Sequence, residues 1–226
     1  MISVFVNAGA VVAGSCIGLL LKKGIPERLS DILMKALGLC TLYIGISGSL
    51  KGENTIILIV SMVVGVLIGE GIDLDDKLNR LGKFLETRFS KEGEKVSIAE
   101  GFVSASLLFC VGAMTIVGSL QSGLTGNHEM IFAKSMLDFV AAIIFTSSLG
   151  IGVFFSAVFV LVYQGAIVLL AQWISPLLTD YTIGEMTCAG SVIIIALGLN
   201  MLGIIKLKVM NFVPAIFAPM LLCQFF

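Results

Sequence analysis

Charged residues are scarce in this chain, and their scarcity excludes a soluble globular protein. Asp, Glu, Lys and Arg make up 13% of the 226 residues, whereas 58% are hydrophobic. The mean hydropathy of +1.07 lies far above that of soluble domains. The formal net charge is only -1, which gives no electrostatic footprint for nucleic acid. The composition predicts an all-α, polytopic transmembrane helical bundle whose main partner is the lipid bilayer.

Histidine is also scarce, and closely spaced pairs of cysteines are absent from the sequence. Histidine occurs once, at His128, and the five cysteines are scattered singly through apolar runs without a CxxC pair. A zinc or redox site needs several such ligands at close spacing, so we predict neither a metal nor a cofactor. No basic segment precedes the first apolar run, so we expect a mature span rather than a cleaved signal peptide. His128 has no partner nearby in the sequence and is interpreted as a surface residue.

Long apolar runs are what the sequence has in abundance. A helix needs about 20 apolar residues to cross a bilayer, and the chain supplies about eight such runs. Their approximate ranges are 2–21, 33–50, 55–72, 98–120, 131–149, 152–174, 185–207 and 209–226. The last run is short, and Pro214 and Pro219 should break or kink it. The pattern predicts seven or eight spans in a single integral membrane domain, residues 1–226.

The basic residues lie on one side of the membrane if eight helices alternate. Twelve of the 14 Lys and Arg residues follow the first, third and seventh spans. Because cytoplasmic loops carry the excess of positive charge, we expect both termini outside.

Across residues 73–97, leucines recur at helical spacing opposite a charged face, and Asp73 is suited to cap the helix. This segment is predicted to be a cytoplasmic interfacial helix followed by a linker.

Lys134 and Asp138 are the main functional candidates, because charge inside a lipid-embedded helix is rare and usually functional. Four residues apart, they share a helix face and can neutralise each other. Tyr163 and Gln164 are adjacent in the following span. If the two spans form a hairpin at residues 150–152, Asp138 and Gln164 both lie about 20 Å from the turn. A common cavity for these side chains is geometrically allowed.

Four other polar residues inside predicted spans are possible parts of a binding site. They are Asn7, Glu70, Glu185 and Asn200. The two asparagines either contact a bound species or cross-link helices through hydrogen bonds. The two glutamates lie near helix ends, where a carboxylate either stays hydrated or joins a site. Glycine spacings of four and five favour close helix packing; if glycine instead breaks a helix around a cavity, residues 118–123 are the expected place.

Several strings, taken in order, resemble one family. They include Lys134-Ser135-Met136-Leu137-Asp138, Leu149-Gly150-Ile151-Gly152-Val153, Tyr163-Gln164-Gly165 and Asn211-Phe212-Val213-Pro214-Ala215. With them the chain resembles the YqgA/YdfK-like bacterial inner-membrane proteins (domain of unknown function 554). The resemblance implies a bacterial plasma-membrane location and a single integral domain, and it implies no activity.

Two functions compete for the intramembrane charges. In a transporter or channel for a small solute or ion, Asp138 binds a cation or a proton and Lys134 neutralises it in the empty state. In a structural or regulatory subunit, the same charges pair helices or protomers, and a homo-oligomer is expected. An enzyme is not predicted, because hydrolysis within lipid needs a Ser-His, paired-aspartate or metal-ligand set that the spans do not offer.

Overall fold

The chain folds into α-helices joined by short connections. The computed structural model describes residues 1–22, 27–77, 80, 97–111 and 113–225. The α-helices are α1 (Ile2–Lys22), α2 (Glu27–Ser49), α3 (Thr55–Ile72), α4 (Ile98–Cys110), α5 (Ala113–Leu124), α6 (Glu129–Leu149), α7 (Gly152–Ile174), α8 (Asp180–Met201) and α9 (Pro219–Leu222). Two 3-10 helices, Ser175–Leu177 and Val209–Ile216, accompany them, and no strand occurs within these ranges.

The predicted class, an all-α polytopic membrane protein, is confirmed. Among the described residues, five helices are long and apolar enough to cross a bilayer, and they are α1, α3, α6, α7 and α8. A sixth is obtained if α4 and α5 form one bent span. The predicted joint at residues 150–152 is also confirmed, since α6 ends at Leu149 and α7 begins at Gly152. Gly150, with φ 78°, makes that tight turn.

The predicted span 98–120 is bent. Its two helices, Ile98–Cys110 and Met114–Leu124, meet at 62°. The expected break at residues 118–123 is wrong, because α5 is continuous from Ala113 to Leu124. The glycines there are packing positions: a Cβ at Gly118 would touch Ile131 at 3.1 Å, and one at Gly123 would overlap Ala171 at 2.6 Å. Small residues at those points let neighbouring helices approach closely.

The last predicted span, residues 209–226, contains two short helices instead of one long one. A 3-10 helix of eight residues, Val209–Ile216, is followed by α9. At about 2 Å per residue, eight residues advance only about 16 Å, which is too short to cross a bilayer. The prolines act as predicted: Pro214 lies inside the first helix, where it has no N–H to donate, and Pro219 begins the second.

Two compact units make up the chain. The first contains residues 1–34, 78–110 and 114–171, and the second contains residues 35–77, 111–113 and 172–226. In the first unit α1 lies against α6, and Gly14 and Gly18 make this contact so close that a Cβ at either position would overlap α6 backbone. The predicted use of glycine in helix packing therefore holds for α1.

The second unit also depends on glycine contacts. A Cβ at Gly48 of α2 would overlap Ser191 of α8, and a Cβ at Gly65 of α3 would overlap Ala215 of the 3-10 helix. The connection between α2 and α3 is short, and Asn54 caps α3 by accepting hydrogen bonds from the first free amides of the helix. These contacts hold the polar residues of the second unit in place.

The predicted interfacial segment, residues 73–97, is described only at its two ends and at Arg80. Residues 74–77 are helical, and Asp73 Oδ1 accepts a hydrogen bond from the Asp76 amide at 3.4 Å. Asp73 also accepts one from Lys208 Nζ at 3.4 Å. The predicted N-cap role of Asp73 is therefore confirmed. Residues 78–79 and 81–96 lie outside the described part, so the amphipathic helix itself stays a prediction.

Candidate functional site

An ion pair lies buried on α6 of the first unit. Lys134 Nζ is 2.7 Å from both carboxylate oxygens of Asp138. The two residues are only 6% and 5% exposed. One turn of helix separates them, as the sequence spacing predicted, so each charge neutralises the other on the same face. A pair taken this far from water is costly unless further polar groups support it.

Two amide side chains supply polar neighbours to the pair. Asn7 Nδ2, on α1, donates a hydrogen bond to Gln164 Oε1, on α7, at 3.1 Å, and both residues are fully buried. The Asn7 side chain also lies near the Asp138 carboxylate. The structure thus brings Asp138 and Gln164 to one level, as the hairpin arithmetic predicted. Asn7 is the residue that links them.

The amide pair is incompletely satisfied. Asn7 Oδ1 and Gln164 Nε2 are buried and find no hydrogen-bond partner among the described residues. Leaving a buried polar atom unpaired costs about 1–3 kcal/mol, so unpaired atoms of this kind require an explanation. One is a pure acceptor and the other a pure donor. Together they offer both halves of a hydrogen-bonding contact to a bound molecule.

The packing of α1 explains why Asn7 reaches this place. Gly14 contacts the carbonyl of Phe139, and Gly18 contacts that of Ile143, so the two helices run side by side in the same direction. Asn7 precedes Gly14 by seven residues, which is two helical turns, and therefore lies on the same face of α1. The glycines of the contact position the asparagine against α6.

Tyr163 and Cys110 lie close to this cluster. The Tyr163 ring stacks on Phe159, with centroids 6.1 Å apart and planes at 11°. Cys110, the last residue of α4, is buried within electrostatic range of Lys134, Asp138 and Tyr163. The last residue of α4 therefore lies within electrostatic range of the ion pair. Thr115 Oγ1 donates to the Phe109 carbonyl at 3.1 Å, which satisfies one of the carbonyls that the bend frees.

Sequence reasoning missed a second polar chain in the first unit. Ser3 Oγ lies 2.8 Å from Ser122 Oγ, which lies 2.9 Å from His128 Nδ1. His128 is half-buried, so its interpretation as a partnerless surface residue is wrong. Ser3 is fully buried and precedes Asn7 by one helical turn. No local pattern signals this contact, because Ser3 and Ser122 are 119 residues apart.

The other three predicted site residues belong to the second unit. Glu185, 1% exposed, is withdrawn from bulk solvent, and its Oε1 accepts hydrogen bonds from the amides of Glu53 and Asn54 at 2.6 and 2.8 Å. Its Oε2 is buried without a partner in the part of the chain that the structure describes. Glu70 is exposed on α3. Asn200 closes its own loop, since Nδ2 donates to the Leu207 carbonyl and Oδ1 accepts from the Leu207 amide.

The four side chains around the ion pair of the first unit have the chemistry needed to bind a polar ligand. One ammonium, one carboxylate and two amides can orient a polar molecule or an ion, and none is a strong nucleophile. Among the described residues, no group of three or more His, Cys, Asp and Glu side chains is arranged to hold a metal. The four side chains of Asn7, Lys134, Asp138 and Gln164 are called the polar cluster below.

Comparison with known proteins places the chain among membrane proteins. It is 34% identical over 223 residues to "Uncharacterized membrane protein YdfK" of Bacillus subtilis (strain 168), covering 97% of this chain and 94% of that protein. It is 32% identical over 223 residues to "Uncharacterized protein YqgA" of Escherichia coli (strain K12), covering 97% and 95%. No solved structure matches the chain significantly.

The whole length of the chain carries the family signal. Residues 2–224 match the family described as "Protein of unknown function (DUF554)". This agrees with the resemblance carried by the Lys134-to-Asp138 and Tyr163-Gln164-Gly165 strings. The chain is a multi-pass membrane protein that belongs to the DUF554 family.

Proposed function

We propose that this protein is a membrane transporter or channel for a small solute or ion, and that the polar cluster is its binding site. The observation that carries the proposal is a charged pair buried in an apolar helix beside two unpaired amide atoms. Ionisable groups within spans usually line a pathway or face a bound species. A purely structural pair would be better served by fully satisfied neighbours.

The pair supplies a means of coupling occupancy to conformation. In the empty state Lys134 and Asp138 neutralise each other at 2.7 Å. A ligand that takes Asp138 releases Lys134, and the freed ammonium then favours whichever conformation offers it another partner. A ligand shifts such an equilibrium only by its difference in affinity between the two states.

The bent α4–α5 segment supports the same proposal. Interrupted helices near the middle of a bundle are a recurrent feature of transporter binding sites, because their ends carry free backbone groups. In the first unit the bend ends at Cys110, within electrostatic range of Lys134 and Asp138. Irregular backbone at membrane depth is tolerated where it is buried in protein or lines a cavity.

We further propose the arrangement in the membrane that the basic residues favour. Seven or eight segments enter the bilayer from an N-terminus that lies outside, and residues 73–97 rest on the cytoplasmic surface of a bacterial plasma membrane. Both termini lie outside if residues 209–226 cross the bilayer as the eighth segment, and the C-terminus lies inside if they do not. Twelve of the 14 Lys and Arg residues then lie inside. In this orientation α6 enters from outside at Glu129, and the polar cluster lies in the outer half of the first unit.

The proposal is tested by removing the charges without leaving one unpaired. The double variant Lys134→Met/Asp138→Asn keeps the site neutral, and in proteoliposomes it should move no labelled solute that the wild type moves. Asp138→Asn alone should also abolish movement. Glu129→Gln is the matched control, because it removes an exposed carboxylate from the first turn of the same helix. Transport that survives in the double variant would overturn the proposal.

A structural or regulatory subunit is the second candidate. The observation that favours it is the closed geometry of the pair, in which one ammonium satisfies both oxygens of Asp138. In that case the double variant should differ from the wild type in oligomer mass, and neither protein should transport a solute. Light scattering of the purified wild type and double variant separates the two functions: an altered mass with no transport in either protein supports the subunit.

A further inference from the structure

The net charge of the polar cluster restricts what it can bind. Lys134 and Asp138 sum to zero, and in the described part of the first unit no third charged side chain is buried. A ligand with a net charge would therefore bring an uncompensated charge into the protein interior. Such a charge is expensive in a region of low dielectric constant. A ligand with equal and opposite charges keeps the balance.

Both signs of charge are within reach of one ligand. The ammonium and the carboxylate are in contact at 2.7 Å, so a small molecule that separates them meets both. Its own carboxylate then pairs with Lys134 and its own ammonium with Asp138. The hydrogen bonds from Lys134 to the two oxygens of Asp138 are replaced by charge-assisted hydrogen bonds to the ligand, and every buried charge keeps a partner of opposite sign. A simple cation or anion replaces only one of them.

The unpaired amide atoms match the same ligand. Asn7 Oδ1 accepts a hydrogen bond, and an ammonium donates up to three. Gln164 Nε2 donates, and a carboxylate accepts several. Both amides are fully buried beside the ion pair, and each lacks a partner for one of its atoms among the described residues. The cluster therefore offers two donors, Lys134 and Gln164, to a carboxylate and two acceptors, Asp138 and Asn7, to an ammonium.

The backbone beside Gln164 is loosely packed. Gly165 is buried, yet a Cβ built on it would meet a single described neighbour within 4 Å, the Cε atom of Met1 at 3.7 Å. At Gly14 and Gly18 the same construction overlaps backbone atoms. A methionine side chain is flexible and easily displaced. The packing at Gly165, the residue after Gln164, therefore leaves space for a methyl group that the packing at Gly14 and Gly18 does not.

From this geometry we infer that the ligand is a small zwitterion with one ammonium and one carboxylate, the chemical class of the amino acids. The inference rests on the proposed function and adds the substrate class. Lys134 and Gln164 hold the carboxylate, and Asp138 and Asn7 hold the ammonium. Binding exchanges an internal ion pair for two ligand ion pairs, which opens the α6 pair without leaving buried charge.

Binding to purified protein tests the class directly. Glycine and L-alanine should raise the melting temperature of the wild type, because a ligand that prefers the native state stabilises it. Acetate and methylammonium, which each carry one of the two charges, should give no shift at the same concentration. A wild type that responds to acetate or methylammonium and not to the zwitterions overturns the inference.

Charge variants sharpen the test. Lys134→Met leaves a lone carboxylate and should bind methylammonium, whereas Asp138→Asn leaves a lone ammonium and should bind acetate. Glycine affinity should fall about 100-fold in both, since one buried charge of the ligand loses its partner. The swapped variant Lys134→Asp/Asp138→Lys is neutral again and should regain part of the glycine binding, because both charges find partners while the amides of Asn7 and Gln164 face the opposite ends of the molecule. Glu129→Gln should behave as wild type. Unchanged selectivity in all variants overturns the inference.

The outcomes distinguish the inference from the proposed function. If the wild type transports another solute in a manner that requires Asp138, while zwitterions neither bind nor compete, only the zwitterion class fails. If no solute moves and light scattering finds an altered oligomer in the double variant, the proposed function itself fails. If zwitterions bind and Lys134→Met removes that binding, the inference holds, and the swapped variant covers the case in which single variants do not fold.

Discussion

The contributions of Lys134 and Asp138 to the stability of the fold depend on each other. Each is nearly fully buried, and each satisfies the other. Removing one partner of such a pair leaves an uncompensated charge, whereas replacing both by neutral groups of similar size leaves none. The difference between single and double variants therefore measures how completely the pair is withdrawn from water.

We expect Asp138→Asn to lower the free energy of unfolding by about 3–5 kcal/mol, because the ammonium of Lys134 stays buried without a counter-charge. Lys134→Met/Asp138→Asn should recover most of this loss. Denaturant unfolding of the wild type, Asp138→Asn, Lys134→Met and the double variant in detergent completes a double-variant cycle. A double variant as unstable as the single one would mean that the two charges do not depend on each other.

Polar contacts between distant residues mark the limit of sequence reasoning at this scale. The i, i+4 spacing was enough to predict that Lys134 and Asp138 share a face, and helix rise was enough to set Asp138 and Gln164 at one depth. The Ser3–Ser122–His128 chain was not predictable, because it joins residues whose sequence neighbourhoods carry no common signal. Glu185 was uncertain for a similar reason: its partners are backbone amides of a loop.

At the scale of helices, glycine can either break a helix or let another helix approach closely, and composition does not distinguish the two roles. Gly118 and Gly123 pack against neighbouring helices, and the real bend lies upstream, where α4 ends at Cys110. A glycine that breaks a helix and a glycine that lets another helix approach have the same local sequence appearance. Contact partners decide between them, and those are known only once the helices are packed.

Gly14 and Gly9 form a matched test of helix contact. A Cβ at Gly14 would overlap the Phe139 carbonyl, whereas nothing described lies within 4 Å of a Cβ at Gly9. Gly14→Ala should therefore push α1 away from α6 and destabilise the protein by about 1–3 kcal/mol. Gly9→Ala should be neutral or slightly stabilising, since alanine favours a helix. Melting temperatures in detergent compare the two; equal effects would contradict the close α1–α6 contact.

The Asp73–Lys208 contact gives the second unit a dependence on pH. Partial desolvation opposes it, but the amide of Asp76 and the ammonium of Lys208 outweigh that effect and lower the pKa of the Asp73 carboxyl. The hydrogen bond with Asp73 in turn raises the pKa of Lys208. A lowered carboxyl pKa adds stability above the ordinary carboxyl range, and this stability is lost as the pH falls through the folded-state value.

Asp73→Asn should therefore melt at a slightly lower temperature than wild type at about pH 7, with the difference shrinking as the pH falls below the ordinary carboxyl range. The effect is small because both side chains are about half exposed. Lys208→Gln removes the same contact and should act in the same direction. Paired melting curves across this pH range are the measurement. A difference that grows as the pH falls would reverse the sign and contradict the pairing.

At the scale of the whole molecule, the all-α membrane class followed directly from composition, because long apolar runs leave few alternatives. The number of spans did not. Residues 98–120 and 209–226 are apolar enough in sum, yet a 62° bend in one and prolines in the other divide them into shorter pieces. Hydropathy records how apolar a segment is, and it does not record whether the segment is straight.

Orientation is tested with two exposed lysines on predicted opposite sides. In a variant with alanine at all five native cysteine positions, Lys51→Cys should react with a membrane-impermeant thiol reagent on intact cells. Lys206→Cys should react only after permeabilisation, because the basic side faces the cytoplasm. Both positions are exposed, so a lack of labelling would reflect the side of the membrane and not burial of the thiol. The reverse labelling pattern would place the N-terminus inside.

Glu185 ties the connection between α2 and α3 to α8 through hydrogen bonds. Its Oε1 holds the amides of Glu53 and Asn54 at 2.6 and 2.8 Å, and a connecting loop normally leaves such amides to water. Amides held this way exchange their protons with solvent only when α8 and the loop separate. The rate of that exchange would report, from a residue outside any helix, how often the second unit opens.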